Sequence, residues 1–337
     1  MSLCLVALGS NVGDRQQALA RSVAQLDALE GCQVRACSSW HETVAVGGPP
    51  GQTPFLNGAV VLETSQPPAQ LLGILNEIEA MLGRTRDVRW GPRTVDLDML
   101  LYDELILDSA QLTLPHPRMA FRKFVIEPAA EIAGEWRHPT IGWTLKKLRD
   151  HLRHATPYVA ITGAPLAGNS QLAARLAESF DARLIRDAGT VVQPSQPAAD
   201  SAGRRLQAEI ESIIRRRQLL DRESWEQPER LAISDFWLEQ SRAYGGILDA
   251  RESATLAGAV DEACRGVIRP KLLIQLGATA PHGRGATSGA AENVDATMHE
   301  AIVAVATRPG VGPLLRLTDS ESEVQLAEAK AAILAMS

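Results

Sequence analysis

Asp96 and Asp98 stand two positions apart in the run Thr94-Val-Asp-Leu-Asp-Met-Leu-Leu-Tyr102. If that run is a strand, alternation sends both carboxylates to one face, with Cα atoms about 6.5–7 Å apart, and Val95, Leu97 and Met99 to the other. Two carboxylates held this way can grip a hard cation such as Mg²⁺. That ion takes one or two carboxylates and completes its shell with water and phosphate oxygens. Arg84, Arg86, Arg89 and Arg93 precede the pair, and Arg122 and Lys123 follow in the next long loop. A guanidinium fork donates two parallel hydrogen bonds to phosphate. The combination points to metal-assisted phosphoryl transfer. Trp90 lies in the same segment of a chain with only 4% aromatic residues, and its ring could stack on a flat ligand. The competing reading is a solvent-facing edge strand whose acids are incidental, with a salt-bridged surface and a buried tryptophan.

Other residues suit a heterocycle. Phe55-Leu56-Asn57 follows the loop Val46–Pro54, and an Asn side chain can read a ring edge with both its amide donor and its carbonyl. Thr43 lies just after an expected strand. Pro115-His116-Pro117 is a stiff loop that presents an imidazole. Each of these alone is more often structural than functional.

The elements that must position these groups can be read from periodicity. Leu3–Leu8 is an apolar run closed by Gly9-Ser10-Asn11 and reads as a buried strand. Leu19, Val23, Leu26 and Leu29 mark a helix from Arg15 to Leu29. Strands are expected at Gln33–Trp40 and Ala59–Thr64, and a helix at Pro68–Leu82, with Leu71, Leu75, Ile78 and Leu82 on one stripe. A strand at Thr94–Tyr102 has Glu104–Leu107 as its expected short partner. Thr113–Phe124 reads as a loop, and Thr144–Leu152 as a closing helix. The order implies an α+β domain, a mixed or antiparallel sheet covered by helices.

The chain has 337 residues, which suggests two domains, with the boundary near residue 155 after His154-Ala-Thr-Pro157. A formal net charge of −6 argues against a general nucleic-acid binder. Cys4, Cys32, Cys37 and Cys264 form no CxxC pair and read as reduced thiols, not a zinc site. No apolar run reaches the length of a membrane span, so no membrane partner is expected and the location is read as cytoplasmic.

The ordered set Gly9-Ser10-Asn11, Phe55-Leu56-Asn57, Arg84 with Arg86, Trp90-Gly-Pro-Arg-Thr-Val-Asp-Leu-Asp98 and Leu114-Pro-His116 resembles the 6-hydroxymethyl-7,8-dihydropterin pyrophosphokinases of folate biosynthesis. The resemblance covers roughly residues 1–150, and residues 1–155 are taken as that domain. It implies an α/β sandwich of ferredoxin-like topology, and transfer of pyrophosphate from ATP to the pterin hydroxymethyl group with release of AMP. It also implies that Asp96 and Asp98 bind two Mg²⁺ ions and that Arg84 and Arg93 hold phosphates and act in catalysis. Arg86, Thr113, His116 and Arg122 would line the ATP side. Phe55 and Phe124 would sandwich the pterin, with Thr43, Asn57 and Trp90 completing its pocket. No general base is assigned. Val44-Ala45-Val46 stands where prolines are frequent in the family, Phe55 where Tyr is frequent, and the Arg86–Trp90 loop is short; no metal or phosphate ligand is lost.

Residues 156–337 read as a second domain. Tyr158–Thr162 is a strand that leads into Gly163-Ala-Pro-Leu-Ala-Gly168-Asn169-Ser170 and then a helix. This placement matches a P-loop, whose N–H groups cradle phosphate, but Asn169 occupies the place of the lysine. Leu206, Ile210, Ile213 and Leu220 mark a long amphipathic helix, Lys271–Leu276 a buried strand, and Val191–Gly203 and Gly277–Asn293 mobile stretches. Element order, Leu231–Phe236 and Arg242-Ala-Tyr244 resemble the deoxynucleoside kinase branch of P-loop kinases, which implies a parallel α/β sheet. No convincing catalytic acid follows the second strand, near Arg186-Asp187. The domain is therefore read as a degenerate kinase used for packing, dimerisation or regulation. A homodimer through it is one assembly this reading allows. The alternatives are a non-catalytic pterin or nucleotide sensor, or an active nucleoside kinase in the second domain.

Overall fold

The computed structural model describes residues 1–83, 91–165, 167–187, 201–277, 289–319 and 321–337, with backbone alone at 201–203 and 289–296. The chain divides into two compact units: Met1–Arg153 with Ala331–Ser337, and His154–Lys330. Among the described residues no helix is long and apolar enough to cross a membrane.

The first unit runs β1 (Ser2–Ser10), α1 (Arg15–Asp27), β2 (Cys32–Cys37), β3 (His41–Thr43), β4 (Phe55–Thr64), α2 (Pro68–Met81) and β5 (Asp96–Tyr102). The hairpin β6 (Leu107–Asp108) and β7 (Thr113–Leu114), then α3 (Lys123–Ala133) and α4 (Leu145–His154), complete it. The sheet order is β2-β4-β1-β5, antiparallel throughout, with β3 also paired to β4. This is a βαββαβ sandwich with ferredoxin-like order. Alternation splits its residues by face. Cys4, Val6, Leu8, Val60, Leu62, Leu97 and Met99 join Leu19 and Leu26 of α1 and Leu71, Leu75 and Ile78 of α2 in one core. The alternate residues, among them Ala7, Gly9, Asn57, Asp96 and Asp98, belong to the face against which α3 packs.

Short sequence signals gave way to packing in several places. The run read as one strand at Gln33–Trp40 is strand only as far as Cys37, with a register shift between Val34 and Ala36, and β3 begins beyond it at His41. Strand β4 begins at Phe55 rather than Ala59, so Phe55 and Asn57 are strand residues. Leu107 pairs with Leu114 in a separate hairpin, not with β5. The Thr113–Phe124 loop holds β7, a short 3₁₀ turn at Met119–Phe121 and the start of α3. Pro128 obscured that helix, because proline removes an interior hydrogen bond. Burial of Val125, Ile126, Ala129 and Ala133 against the sheet outweighs the loss.

The second unit contains β8 (Tyr158–Thr162), α5 (Asn169–Phe180), β9 (Arg183–Ile185), α6 (Ser201–Leu219), β10 (Ala232–Ser234) and α7 (Ala250–Ala263). It continues through β11 (Leu272–Leu276), α8 (Gly289–Ala306), β12 (Leu314–Leu317) and α9 (Ser322–Ala335), whose end clusters with the first unit. A 3₁₀ helix spans Leu238–Ile247. All five strands are parallel, in the order β12-β11-β8-β10-β9, and β8 and β11 are buried along their whole length. Fully buried apolar strands are what helices on both faces of a parallel sheet produce. Ser201–Gly203, read as mobile, are helical, as is Gly289–Asn293. The remainder of those two stretches, apart from Gly277, lies outside the described residues.

Candidate active site

Strand β5 delivers its two carboxylates as alternation requires: Leu97 and Met99 are 4% and 3% exposed, and Asp96 and Asp98 lie on the opposite face. Asp96 is in register with Gly9 and Asp98 with Ala7 of β1. A Cβ added to Gly9 would sit 3.3 Å from Asn57 Oδ1 and 3.9 Å from Asp96 Cβ, so the small residue keeps the floor between them open. Among the described residues no three His, Cys, Asp or Glu side chains gather as a metal cluster. Two carboxylates on one strand face suit a cation that completes its shell with water and substrate oxygens, which is how Mg²⁺ is held.

Cations close round the pair. Arg93 Nη1 is ion-paired to Asp96 Oδ2. Arg122, just ahead of α3, places Nη1 3.7 Å from Asp98 Oδ2 and its guanidinium carbon 5.8 Å from the Phe124 ring centroid. Burial lowers the Arg122 pKa, with Asp98 pulling the other way. His116 Nε2 lies 3.9 Å from the same Asp98 oxygen. Its Nδ1 accepts the Arg118 N–H at 3.1 Å, which leaves the proton on Nε2, facing Asp98. Burial pushes the His116 pKa down to about 4, so the ring is neutral at pH 7. A bulge in β5 positions this residue. Val6 and Leu5 face Met99 and Leu101, and the carbonyl of Leu100 between them accepts the His116 N–H at 2.9 Å.

Beside this charged end lies a pocket lined by Thr43, Phe55, Asn57 and Phe124, with Val44 and Val46 at its rim. Asn57 is 6% exposed and donates from Nδ2 to Thr43 Oγ1 at 2.8 Å. The structure therefore brings together Thr43, Phe55, Asn57, Arg93, Asp96, Asp98, His116, Arg122 and Phe124. Thr113 is on β7, with its hydroxyl donating to Asp108 at 3.3 Å. Arg84, Arg86 and Trp90 lie outside the described residues.

Two contributors were not assigned a role from sequence. Asn11, 2% exposed, donates its N–H to Arg93 O at 3.0 Å and accepts the Arg93 N–H on Oδ1 at 2.7 Å. Its Nδ2 faces Gln52 Oε1 at 3.3 Å and Thr53 O at 3.4 Å, so one side chain ties the phosphate-side arginine to the loop before β4. Glu79 of α2, 2% exposed, accepts the Leu97 N–H at 2.7 Å between the two aspartates. Its signal was a carboxylate four residues after Leu75, at the edge of an apolar stripe.

In the second unit, Gly168 takes φ +94° immediately before α5, a left-handed turn that favours glycine. Asn169 Nδ2 turns back to Gly163 O at 3.5 Å, and Ser170 Oγ donates to Asp235 Oδ2 at 2.8 Å. Asp187, the acid after β9, accepts Arg215 Nε at 2.8 Å and Arg216 Nε at 2.7 Å. Burial would raise its pKa, and the two guanidinium groups outweigh that and hold it low.

A sandwich that sets paired carboxylates and arginines beside an aromatic-walled pocket is a phosphotransferase architecture. The family model for 7,8-dihydro-6-hydroxymethylpterin-pyrophosphokinase matches residues 5–134. A 2-amino-4-hydroxy-6-hydroxymethyldihydropteridine pyrophosphokinase of Synechocystis sp. is 39% identical over 165 residues, 49% of this chain and 84% of that protein. Its Bacillus subtilis namesake is 48% identical over 131 residues, 39% of this chain and 78% of that protein. The chain belongs to this pyrophosphokinase family through its first unit. A solved deoxyadenosine kinase from M. mycoides overlaps 51% of this chain and 95% of its own at 13% identity and a TM-score of 0.39, a level that carries no functional argument.

Proposed function

We propose that the first unit transfers the β,γ-pyrophosphoryl group of ATP to the hydroxymethyl oxygen of 6-hydroxymethyl-7,8-dihydropterin and releases AMP. The observation that carries this reading is the junction of Asp96, Asp98, Arg93 and Arg122 with the pocket of Thr43, Phe55, Asn57 and Phe124, in a chain of this family. Asp96 and Asp98 would hold the Mg²⁺ ions, two of them in this reading, which neutralise charge on the triphosphate when bound. Arg93 and Arg122 face the same opening and supply further positive charge to the phosphates during transfer. Phe55 and Phe124 offer ring faces, and Asn57, steadied by Thr43, offers an amide edge to the pterin. His116, neutral and with Nε2–H toward Asp98, is placed to donate a hydrogen bond and not to carry charge.

The second unit is, in this reading, non-catalytic. Asn169 supplies no charge where a phosphate loop needs lysine, Ser170 is bonded to Asp235, and both carboxylate oxygens of Asp187 are held by arginines. The test is purified protein with Mg²⁺, ATP and 6-hydroxymethyl-7,8-dihydropterin. AMP formation dependent on the pterin is expected. ADP as the main product, or no product despite pterin binding, would refute the reading.

A further inference from the structure

Helix α3 and strand β3 are the two walls that face each other across the pocket, and a cluster away from the chemistry links them. Glu131 of α3 accepts three donors. The Ser39 N–H lies 3.0 Å from Oε2, the Ser39 hydroxyl 3.0 and 2.9 Å from the two oxygens, and His41 Nε2 2.6 Å from Oε1. Ser39 Oγ also lies 3.2 Å from His41 Nε2, so the imidazole N–H is shared between the hydroxyl and the carboxylate.

Periodicity turns this cluster into a gauge for the pocket. Glu131 lies seven residues after Phe124, two helical turns along the same stripe, about 10.5 Å away. His41 lies two residues before Thr43 on β3 and therefore shares its face. Both are half-buried, and the intervening Glu42 points outward to Arg15 at 2.8 Å. In the β3–β4 register, His41 opposes Asn57 and Thr43 opposes Phe55. The Glu131–His41 contact thus joins the two walls at one end, and Phe124 faces Phe55, Asn57 and Thr43 at the other.

We propose that Ser39, His41 and Glu131 are positioning residues for the flat-ring substrate: their shared hydrogen bonds fix the spacing between the Phe124 wall and the Thr43–Asn57 wall. The proposal rests on the pterin reading of the pocket. The brace touches neither Asp96, Asp98 nor the arginines, so it acts on one substrate and not on the other.

The experiment is steady-state kinetics of AMP formation on the full chain, with each substrate varied in turn, together with the melting temperature. Glu131→Gln keeps the side-chain shape and loses the charge; Ser39→Ala loses the hydroxyl; His41→Ala loses the ring donor. Each should raise the KM for the pterin about three- to tenfold, the size expected of a partly exposed charged hydrogen bond. The KM for ATP and kcat should stay within about twofold on the same argument. His41→Gln, which restores an N–H donor, should recover at least part of the pterin KM. An unchanged pterin KM in a parent that makes AMP would overturn the brace and leave the pterin reading intact. So would a parallel change in both KM values that tracks the melting temperature, the mark of a merely structural role. A parent that makes no AMP would sink the pterin reading and the brace with it.

Discussion

Asn11 and Arg93 exchange two hydrogen bonds: the Asn11 N–H donates to Arg93 O at 3.0 Å, and the Arg93 N–H donates to Asn11 Oδ1 at 2.7 Å. The pairing fixes the backbone of an arginine whose side chain is ion-paired to Asp96. Asn11→Ala removes the acceptor of a buried N–H and should cost about 1–3 kcal/mol of stability. Because Arg93 is displaced at the phosphate end, kcat should fall on the order of 10²-fold. Asn11→Asp keeps an acceptor for Arg93 and should lose less. Denaturant unfolding and AMP formation measure the two effects, and equal losses in both variants would show that Oδ1 is not what matters.

Gly58 lies directly under Trp40. A Cβ at that position would come within 2.3 and 2.5 Å of the indole ring, so the ring must shift. Gly58→Ala should destabilise the first unit by about 1–3 kcal/mol. Gly73, on the exposed side of α2, has open space where a Cβ would go. Gly73→Ala should stabilise by about 0.5–1 kcal/mol. Chemical denaturation of both variants checks the pair, and the same sign for both would contradict the packing described.

His138 is buried, and its Nδ1 accepts the Ile141 N–H at 3.3 Å, so the ring is neutral in the fold. Burial pushes its pKa down to about 4 from an ordinary 6.5. Between those values the unfolded chain binds the proton and the folded chain does not. Stability contributed by the neutral ring is therefore present above about pH 6.5 and is lost as the pH falls, by about 3 kcal/mol at pH 4. His138→Gln should flatten this part of the stability–pH curve relative to the parent. An unchanged slope between pH 7 and 4.5 would show that His138 is not its source.

Asn169→Lys restores the lysine of a phosphate loop but leaves Asp187 held by Arg215 and Arg216. The variant should produce no ADP from ATP and deoxynucleosides, and its AMP formation should stay within about twofold of the parent, as for a site outside the chemistry. Measurable deoxynucleoside kinase activity would mean that the loop alone was limiting.

The carboxylate pair was legible in the sequence because period-2 alternation is a local property of Asp96-Leu-Asp98, and the same logic placed Leu97 and Met99 in the core. The stripes of α1 and α2 were legible for the same reason. Other features depend on tertiary packing. Helix α3 contains Pro128 and forms because its small apolar face covers the sheet, so Lys123 and Phe124 read as loop residues in the sequence, while Arg122 does lie outside the helix. The role of Asn11 arises from a partner 82 residues away, which no local pattern encodes, and the place of Glu79 on the α2 stripe marks it as buried without naming its partner 18 residues away. Thr113, assigned by family position alone, is on a hairpin with its hydroxyl on Asp108.

The central claim is that a pyrophosphoryl group, and not a single phosphoryl group, moves to the pterin. It is tested most directly with ATP labelled at the β-phosphorus and 6-hydroxymethyl-7,8-dihydropterin, by following where the label goes. The label should appear on the pterin product, with unlabelled AMP released, and this transfer should vanish in Asp98→Ala while the protein remains folded. Label retained in ADP would contradict the account, as would full transfer by Asp98→Ala.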